Sequence, residues 1–292
     1  MSRLSRFLGR ANSDEQSVAP GAESSATGAT AAEDGPVDTK MFGLHDARLS
    51  GWFLVETNEL YRGMPIAPDD VVVDVGCGEG GNLSFCAQLG ASVIGIDLDE
   101  ASIETARARI AETSARASEF HVAPAEHLPV ADGAATRVMC TEVLEHVDDP
   151  AVVLTELVRI GAPGAIYLIT VPDENQERMQ SYVAHEDYFK FPNHIRIVGR
   201  EEFAEWVQAA GLEIVSQAGY GFFWSVWWAL VWGCGADASI QKPWLEEIEH
   251  PALQHWTEAW AELLKTPEGR KVKEGLDKFM PKSQVIIARK PA

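Results

Sequence analysis

An acidic residue followed by alternating glycines is the first feature of this chain that can do chemistry. Residues 71–75 are Val-Val-Val-Asp-Val, and Gly76, Gly78 and Gly80 follow at once. Such an apolar run is typical of a central parallel strand that is covered on both faces. Glycines after the strand let the backbone turn tightly and approach a ligand without interference from Cβ atoms. The segment predicts the nucleotide-binding corner of a doubly wound α/β sheet.

Two classes of ligand fit this turn, and the carboxylate of Asp74 distinguishes between them. Gly76, Gly78 and Gly81 match the dinucleotide pattern G-x-G-x-x-G, which alone is weak evidence for NAD. A dinucleotide places its pyrophosphate over the turn, where the carboxylate would repel it. S-adenosylmethionine (SAM) carries an ammonium and a sulfonium but no phosphate, so the carboxylate favours it. Asp97, which ends the next apolar run, suits ribose hydroxyls in either ligand.

Four short segments follow one another in a characteristic order. They are Asp74-Val-Gly-Cys-Gly-Glu-Gly80, Gly95-Ile-Asp-Leu-Asp-Glu100, Ala125-Glu-His-Leu-Pro129 and Thr141-Glu-Val-Leu-Glu-His-Val-Asp-Asp-Pro150. Together they resemble the class I SAM-dependent methyltransferases, most closely the branch with ubiquinone-biosynthesis and small-molecule O-methyltransferases. The resemblance covers about 45–218 and 283–290. It implies a Rossmann-like fold with a seven-stranded, mostly parallel sheet, an antiparallel last strand, and SAM as cofactor.

The resemblance also implies a set of cofactor-binding residues in these segments. They are Asp74, Gly76, Gly78, Gly80, Asp97, Leu98, Ala125, Glu126 and Thr141. Within this set, Asp97 is expected to bind the ribose and Leu98 to contact the adenine. One position departs from the family, because Pro124 stands where an aspartate usually accepts a hydrogen bond from the adenine amino group. The backbone amide of Ala125 can still bond the ring, and a neutral hydrogen bond contributes only about 0.5–1.5 kcal/mol. We therefore expect weaker SAM binding rather than none.

Two histidines are the candidate catalytic residues. Methyl transfer depends mainly on aligning the acceptor with the methyl group and the sulfur, and a hydroxyl acceptor also benefits from a base. His194 lies in a segment, 192–196, that resembles the family's acceptor cleft, and it is the leading candidate. His146, after the fourth strand, is the second. For both, a histidine bonded within the structure remains the alternative.

Composition narrows the classes of partner. The chain has 44 acidic and 24 basic residues and a formal net charge of −20. This argues against nucleic acid, because Lys and Arg neutralising phosphates dominate that affinity. The four cysteines show no C-x-x-C spacing and are predicted to be free thiols in a reducing cytoplasm. No metal is predicted, because His185, Glu186, Asp187 and His194 lack a compact ligand spacing.

The chain is predicted to contain a tail, a core and an insertion. Residues 1–39 are expected to be disordered, since small and polar residues dominate them. The SAM-binding core is placed at 40–218, a helical tryptophan-rich cap at 219–282, and the final strand and tail at 283–292. Predicted strands are 71–75, 92–96, 118–122, 135–140, 165–171, 212–217 and 283–288, and predicted helices are 45–62, 80–89, 99–113, 149–160 and 200–210.

The cap is the unusual part of the sequence. From Phe222 to Trp232 only Ser225 is polar, and the run is about a third too short to span a bilayer. A helix that is apolar all round is buried in protein or contacts lipid. Three interpretations therefore stay open: a lid packed over the acceptor cleft, an acceptor pocket lined by tryptophans, or an interfacial membrane anchor through 220–232.

Two further features follow within the cap. An acidic amphipathic helix is predicted from Trp244 to Leu264, interrupted near Pro251. After it comes a basic cluster, which we predict to be a solvated face. Its members are Arg270, Lys271, Lys273, Lys278 and Lys282.

Together these observations predict a cytoplasmic SAM-dependent methyltransferase, with peripheral attachment at the inner membrane face as the alternative location. The expected reaction is O-methylation of a small or a lipid- or glycan-linked acceptor, such as a quinone-like phenol or a sugar hydroxyl. A SAM-binding sensor or partner-binding module without turnover is the main alternative, suggested by Pro124. An NAD-dependent oxidoreductase is the third. The sequence does not determine the oligomeric state.

Overall fold

The structure of this protein is a computed structural model, in which residues 38–234 and 250–292 are described. The predicted disordered tail, apart from its last two residues, lies outside the described residues. So does the part of the predicted acidic helix that precedes residue 250.

The described chain begins with a helix and a small antiparallel sheet. The elements are α1 (Thr39–Leu49), β1 (Trp52–Leu54), β2 (Glu59–Tyr61) and β3 (Met64–Pro65). The helix predicted over 45–62 is therefore wrong beyond Leu49. Gly51 has φ +107° and Phe53 has φ +50°, and an α-helix excludes both conformations. Trp52, Phe53 and Leu60, which match a helical spacing in the sequence, are instead buried positions of β1 and β2.

A seven-stranded sheet forms the centre of the molecule. Its strands are β4 (Val71–Val75), β5 (Ser92–Asp97), β6 (Ala117–Val122), β7 (Ala135–Thr141), β8 (Gly161–Pro172), β9 (Glu213–Tyr220) and β10 (Ser283–Arg289). They lie in the order β6-β5-β4-β7-β8-β10-β9, and β10 runs antiparallel to both of its neighbours. This confirms the predicted fold and each predicted strand. The strand order reverses between β4 and β7, where open α/β sheets bind ligands at the carboxyl ends.

Helices cover both faces of this sheet. They are α2 (Gly81–Gln88), α3 (Glu100–Ala111), α4 (Pro150–Ile160), α5 (Glu174–Gln180), α6 (Arg200–Ala209), α7 (Phe222–Gly233), α8 (Pro251–Leu264) and α9 (Pro267–Phe279). The predicted core helices after residue 80 are confirmed, whereas α5 was not predicted. Asp99 and Asp149 cap α3 and α4 with their side chains, and Pro150 occupies the first turn of α4. Pro251 likewise begins α8 rather than interrupting a longer helix within the described residues.

The tryptophan-rich helix α7 packs against protein. Every side chain from Phe222 to Trp232 is buried or half-buried. Phe223, Trp224 and Trp227 belong to the same apolar cluster as residues of α1, the small sheet and α8. The Phe223 ring stacks on Trp256 of α8, with 6.0 Å between ring centroids. This burial favours the packing interpretation of the segment over an exposed membrane anchor. No helix in the described ranges is long and apolar enough to cross a membrane.

The basic cluster is only partly a solvated face. Arg270, Lys271 and Lys278 are exposed, as predicted. The prediction is wrong for Lys273 and Lys282, which are 3% and 7% exposed. These two lysines are buried because each pairs with buried acidic residues, of which Asp46 and Glu142 lie far from them in sequence.

Lys273 joins the first helix to the cap. Its ammonium donates to Asp46 at 3.2 Å and to Asp277 at 2.7 Å, and both carboxylates are buried. Trp260 of α8 donates its indole N–H to the same Asp46 at 2.9 Å. The other carboxylate oxygen of Asp277 accepts the backbone N–H of Phe222 at the start of α7. One polar network therefore fixes α1, α7, α8 and α9 to one another.

The cysteines have no disulfide partners. Cys77, Cys86 and Cys140 are buried and Cys234 is half-buried, and all four are free thiols. This confirms the predicted state of the cysteines.

Candidate active site

The predicted cofactor residues lie together along one edge of the main sheet. Four adjacent strands, in the order β6-β5-β4-β7, end at this edge. Ala125 and Glu126 follow β6, Asp97 and Leu98 end β5, Asp74 and the glycines end β4, and Thr141 ends β7. We call the set formed by Asp74, Gly76, Gly78, Gly80, Asp97 and Leu98 the donor half of the site.

The glycine turn has a backbone that other residues rarely adopt. Gly76 and Gly78 have φ values of +74° and +53°, in the left-handed region. The N–H groups of Gly76 and Cys77 both donate to the carbonyl of Ile96, at 2.8 and 3.0 Å. A Cβ on Gly76 would lie 2.3 Å from Cγ2 of Val143. The turn therefore excludes side chains from the carboxyl end of β4.

Asp74 is a buried carboxylate with an unsatisfied oxygen. It is 1% exposed, and its Oδ1 has no hydrogen-bond partner in the structure. Burial and the nearby Asp97 raise the pKa of Asp74 to about 8. A buried carboxylate is stable in its charged form only beside a cation. The arrangement fits the ammonium group of SAM and does not fit a pyrophosphate.

Asp97 and Leu98 present two different surfaces next to this turn. The two carboxylate oxygens of Asp97 accept the N–H groups of Gly78 and Asp99, at 2.8 and 2.9 Å. Since each carboxylate oxygen has two lone pairs, one on each remains for a ligand hydroxyl. Leu98 is 71% exposed, which leaves an apolar face against which a flat ring can pack. Asp97 therefore stays a predicted ribose ligand and Leu98 a predicted adenine contact.

The two predicted catalytic histidines lie next to each other. The rings of His146 and His194 meet edge to face, with centroids 5.0 Å apart. A hydrogen bond from the Ile195 N–H to the Glu145 carbonyl, at 3.0 Å, joins the two segments beside them. Residues 145–146 and 194–195 are therefore brought together by backbone contact as well as by packing.

His194 belongs to a chain of hydrogen bonds that the sequence did not predict. Its Nδ1 lies 2.8 Å from Glu177 Oε2, and the hydroxyl of Tyr188 donates to Glu177 Oε1 at 2.8 Å. Because an ionised carboxylate can only accept, Nδ1 carries the proton. The Nε2 of His194 is then left with a lone pair.

His146 is held in the same tautomer by different partners. Its Nδ1 lies 2.9 Å from the carbonyl of Asn193, so this nitrogen also carries the proton. Its Nε2 is buried without a hydrogen-bond partner. Burial and the neighbouring His194 lower the pKa of His146 to about 3. His146 is therefore a neutral imidazole at physiological pH.

Glu145 completes a group that can hold a metal ion. It is 1% exposed, neither of its oxygens has a hydrogen-bond partner, and Oε1 lies 3.5 Å from His146 Nε2. Burial and the charge of Glu142 raise the pKa of Glu145 well above its usual range. Ligand atoms of Glu145, His146 and His194 all lie within 4.8 Å of one another. Two imidazoles and a carboxylate are a typical donor set for a first-row divalent cation.

This group differs from the one weighed in the sequence. His185 and Asp187 pair with each other at 3.3 Å on an exposed turn, and both side chains are more than half exposed. Of the four residues weighed as ligands, only His194 belongs to the structural group. Its partners come from the segment after β7, where Glu145 and His146 are adjacent in sequence.

A buried ion pair lies at the end of β7. Lys282, from the end of the cap, donates its ammonium proton to Glu142 Oε2. Glu142 Oε1 accepts the hydroxyl of Thr170 at 3.0 Å, and the residue has φ +57°. We call the set formed by Glu142, Glu145, His146, Glu177, His194 and Lys282 the acceptor half of the site.

Sequence reasoning missed four members of the acceptor half. Glu142 and Glu145 were quoted within a family segment, and their spacing of three residues beside His146 is the signal that could have identified them. Glu177 and Lys282 have no such local signal. They reach the site through contacts with His194 and Glu142, which are 17 and 140 residues away in sequence.

Comparisons with known proteins agree with this architecture. A family profile described as a methyltransferase domain matches residues 51–217, more than half of the chain. A probable SAM-dependent methyltransferase of Mycolicibacterium smegmatis is 29% identical over 148 residues, covering 51% of this chain and 54% of that protein. A ubiquinone biosynthesis O-methyltransferase of Thiobacillus denitrificans is 32% identical over 149 residues, covering 49% of this chain and 64% of that protein. The matched region thus spans about half to two thirds of these relatives.

Solved structures share the fold at lower sequence identity. A geranyl diphosphate methyltransferase in complex with SAM is 20% identical, with a TM-score of 0.53 over 87% of this chain and 88% of that one. The [4+2]-cyclase SpnF is also 20% identical, with a TM-score of 0.51 over 77% of this chain and 76% of that one. One of these structures is named a methyltransferase and the other a cyclase, so the shared fold alone does not determine the reaction.

Proposed function

We propose that this chain, which belongs to the methyltransferase-domain family of class I SAM-dependent enzymes, transfers a methyl group from SAM to a hydroxyl of a small or lipid-linked acceptor. The observation that carries the proposal is the buried Asp74 carboxylate with its unsatisfied Oδ1 at the glycine turn. It needs a cation, and SAM supplies one where NAD would bring an anion.

The donor half binds and orients the cofactor. Bound SAM supplies an electrophilic methyl group on a positively charged sulfur. Asp74 pairs with the ammonium group, Asp97 accepts the ribose hydroxyls, and Leu98 packs on the adenine. The amide of Ala125 bonds the adenine edge in place of the side chain that Pro124 lacks. Glu126 and Thr141 remain predicted contacts at the same edge.

In the acceptor half, His194 is the proposed general base. Its Nε2 lone pair takes the proton of the acceptor hydroxyl as the oxygen attacks the methyl group. Glu177 holds the Nδ1 proton at 2.8 Å and stabilises the imidazolium that forms. His146 is the weaker candidate for a base, because burial lowers its pKa to about 3.

A divalent cation is the alternative means of activating the same hydroxyl. Glu145, His146 and His194 would hold it, and a bound cation lowers the pKa of a coordinated hydroxyl. Two observations favour it: the unsatisfied oxygens of Glu145 and the unsatisfied Nε2 of His146 are all buried. Loss of turnover in a chelator and its return with Mn²⁺ or Zn²⁺ would favour this route over the His194 base.

The acceptor is proposed to be a phenol with an apolar portion. Tyr182 and Phe191 are 88% and 78% exposed on the segment that leads to His194, and an apolar acceptor can pack there. Relatives named ubiquinone biosynthesis O-methyltransferases support a phenolic hydroxyl. A sugar hydroxyl is the remaining alternative, with less support from these exposed side chains.

Turnover with a labelled cofactor tests the proposal. The purified protein is incubated with methyl-labelled SAM and a panel of phenols, sugars and cell extract, and S-adenosylhomocysteine and labelled product are measured. We expect label in an extractable phenolic product. Tight SAM binding without turnover in any fraction would instead support a sensor module. A thermal shift with NAD and none with SAM would overturn the assignment of the cofactor.

A further inference from the structure

The end of the cap contributes one buried positive charge to the acceptor half. Lys282 lies between α9 and β10, and it is 7% exposed. Its backbone is fixed on both sides, because its N–H donates to the Tyr220 carbonyl at 2.8 Å and its carbonyl accepts the Asp173 N–H at 3.1 Å. The side chain therefore starts from a fixed position beside β8 and β9.

Glu142, the partner of this lysine, is fixed at three points. Its N–H donates to the Thr170 carbonyl at 2.9 Å, and its Oε1 accepts the Thr170 hydroxyl at 3.0 Å. Its Oε2 accepts the Lys282 ammonium. A φ of +57° is uncommon for a residue with a side chain, and it persists only where surrounding contacts impose it. The lysine is one of those contacts.

The acceptor half has more buried carboxylates than buried ammonium groups. Glu142, Glu145 and Glu177 are each at most 3% exposed. Lys282 supplies the ammonium within this set, and its charge opposes the repulsion that Glu142 exerts on Glu145. Buried charges persist in proteins when they are paired or bind a metal. Lys282 therefore removes one carboxylate from the groups that would otherwise attract a cation.

We propose that Lys282 is a positioning residue through which the cap sets the cation affinity of the acceptor half. Its ammonium pairs with Glu142 Oε2, so the charge of a carboxylate three residues before Glu145 is already balanced when a cation approaches. The net negative charge that attracts a cation to Glu145, His146 and His194 is thereby reduced. The inference goes beyond methyl transfer, and its test requires no acceptor.

The test replaces the ammonium and measures Mn²⁺ binding. Lys282→Met leaves Glu142 without a counterion, three residues before Glu145. We expect the Mn²⁺ affinity of the full chain with S-adenosylhomocysteine to rise by roughly tenfold or more, the size of effect that outer contacts exert on metal affinity. Electron paramagnetic resonance titration of free Mn²⁺ gives this affinity. The Mn²⁺ affinity of Lys282→Arg, which keeps the charge, should stay close to that of the wild type.

A second substitution separates charge from structure. In the double variant Lys282→Met/Glu142→Gln, the uncompensated carboxylate is gone, and the gain in Mn²⁺ affinity should disappear. In Glu142→Gln alone, the unpaired ammonium should lower the Mn²⁺ affinity below that of wild type. A residue with a merely structural role would not produce opposite shifts in these variants.

Circular dichroism and the affinity for S-adenosylhomocysteine show whether each variant is folded. If Lys282→Met does not fold, Lys282→Gln and Glu142→Gln carry the test. Unchanged Mn²⁺ affinity in folded Lys282→Met or Lys282→Gln, or in Glu142→Gln, would overturn the proposal. So would a lack of Mn²⁺ binding in both wild type and Lys282→Met. Failure of methyl transfer would affect neither measurement, so the two proposals fail separately.

Discussion

The donor half and the acceptor half of the site are built in different ways. The donor half lies between residues 74 and 98, and much of its shape is backbone: a left-handed glycine turn tied to the end of the next strand. The acceptor half combines side chains from four separate segments, and a contact such as Lys282 to Glu142 spans 140 residues. A local site can keep its geometry while the rest of the chain changes. A site of distant side chains depends on every element that carries one.

The two halves also differ in how their buried charges are balanced. In the donor half, Asp74 has an unsatisfied oxygen and a raised pKa, and we propose that the incoming cofactor balances its charge. In the acceptor half, Lys282 already balances Glu142, and His194 bonds Glu177. Substitutions in the donor half should therefore change cofactor affinity, and those in the acceptor half should change turnover or cation binding.

Removal of the proposed base, His194, should have the largest effect, on the rate of methyl transfer. His194→Ala is expected to lower kcat by roughly 10²- to 10⁴-fold, the usual contribution of a positioned general base. The affinity for S-adenosylhomocysteine should stay unchanged, because His194 belongs to the acceptor half. Stopped-time assays with the acceptor found in extracts measure kcat, and calorimetry measures the affinity. His185→Ala, on an exposed turn, is the matched control. A large loss of cofactor affinity in His194→Ala would contradict the division into halves.

A side chain at Gly76 in the glycine turn should have the second-largest effect, on cofactor affinity. A Cβ at Gly76 would lie 2.3 Å from Val143, so Gly76→Ala should weaken cofactor binding by about 100-fold or more, since left-handed strain adds about 1–2 kcal/mol to the clash. Gly164 has a similar φ of +79° but nothing within 4 Å of an added Cβ, so Gly164→Ala is the control for strain alone. Calorimetric titration with S-adenosylhomocysteine compares the two variants. Equal losses in both would mean that the turn contributes no specific contact.

Removal of the predicted ribose ligand should have a smaller effect. Asp97→Ala is expected to weaken SAM binding about 10- to 100-fold, because hydrogen bonds to a charged group contribute about 1.5–3 kcal/mol. Asp99 lies two residues away and caps α3, so Asp99→Ala should lower the melting temperature while leaving SAM affinity intact. The same titration measures both variants. An unchanged affinity in Asp97→Ala would remove the ribose assignment.

The smallest expected effect is a dependence of SAM affinity on pH. Because the pKa of Asp74 is raised to about 8, the free protein holds a proton there that the bound ammonium must displace. SAM affinity should therefore fall by up to about tenfold per pH unit below 8 and level off above it. Calorimetry in buffers of different ionisation enthalpy should detect release of one proton near pH 7. Asp74→Asn should abolish the proton release. If protons are still released in this variant, they come from another group.

The same raised pKa has a consequence for stability without cofactor. Protonated Asp74 is favoured in the folded state, so its contribution to stability is fully present below the ordinary aspartate pKa of 3.8 and is lost as pH rises towards 8. As pH rises from 3.8 to 8, Asp74 should therefore lower the free energy of unfolding of the unliganded protein. Saturating SAM should remove much of the decrease, because the ammonium stabilises the ionised form.

The sequence predicted the main sheet well for a physical reason. Buried parallel strands such as β4 are continuous apolar runs, and their boundaries are marked by glycines or acidic caps within a few residues. The helix over 45–62 was wrong because short buried strands share apolar residues with a helical face, and only backbone angles such as that of Gly51 separate them. Helix α5 has only seven residues, too few for its pattern to stand out.

The sequence indicated the residues of the two halves unevenly. Asp74, Asp97 and the glycines could be singled out because they follow two apolar strands within a short stretch of chain, and their roles stay predictions. Lys282 was predicted as solvated because its partner Glu142 lies 140 residues away in sequence. Lys273 has Asp277 four residues along the helix, but its second partner, Asp46, lies 227 residues away and gives no local sign of burial. Long-range pairing of charges, rather than local propensity, is what the sequence alone left out.

The position of β10 between β8 and β9 has a consequence for how the chain is made. During synthesis β9 emerges before the strand that joins it to the sheet, and β8 keeps an open edge until residues 283–289 arrive. Unpaired strand edges on incomplete chains promote aggregation. About seventy residues are synthesised between the start of β9 and the start of β10. During this time the nascent chain also carries the tryptophans of α7 before their packing is complete. A ribosome-bound intermediate of this protein should therefore be a strong client of chaperones that bind apolar segments.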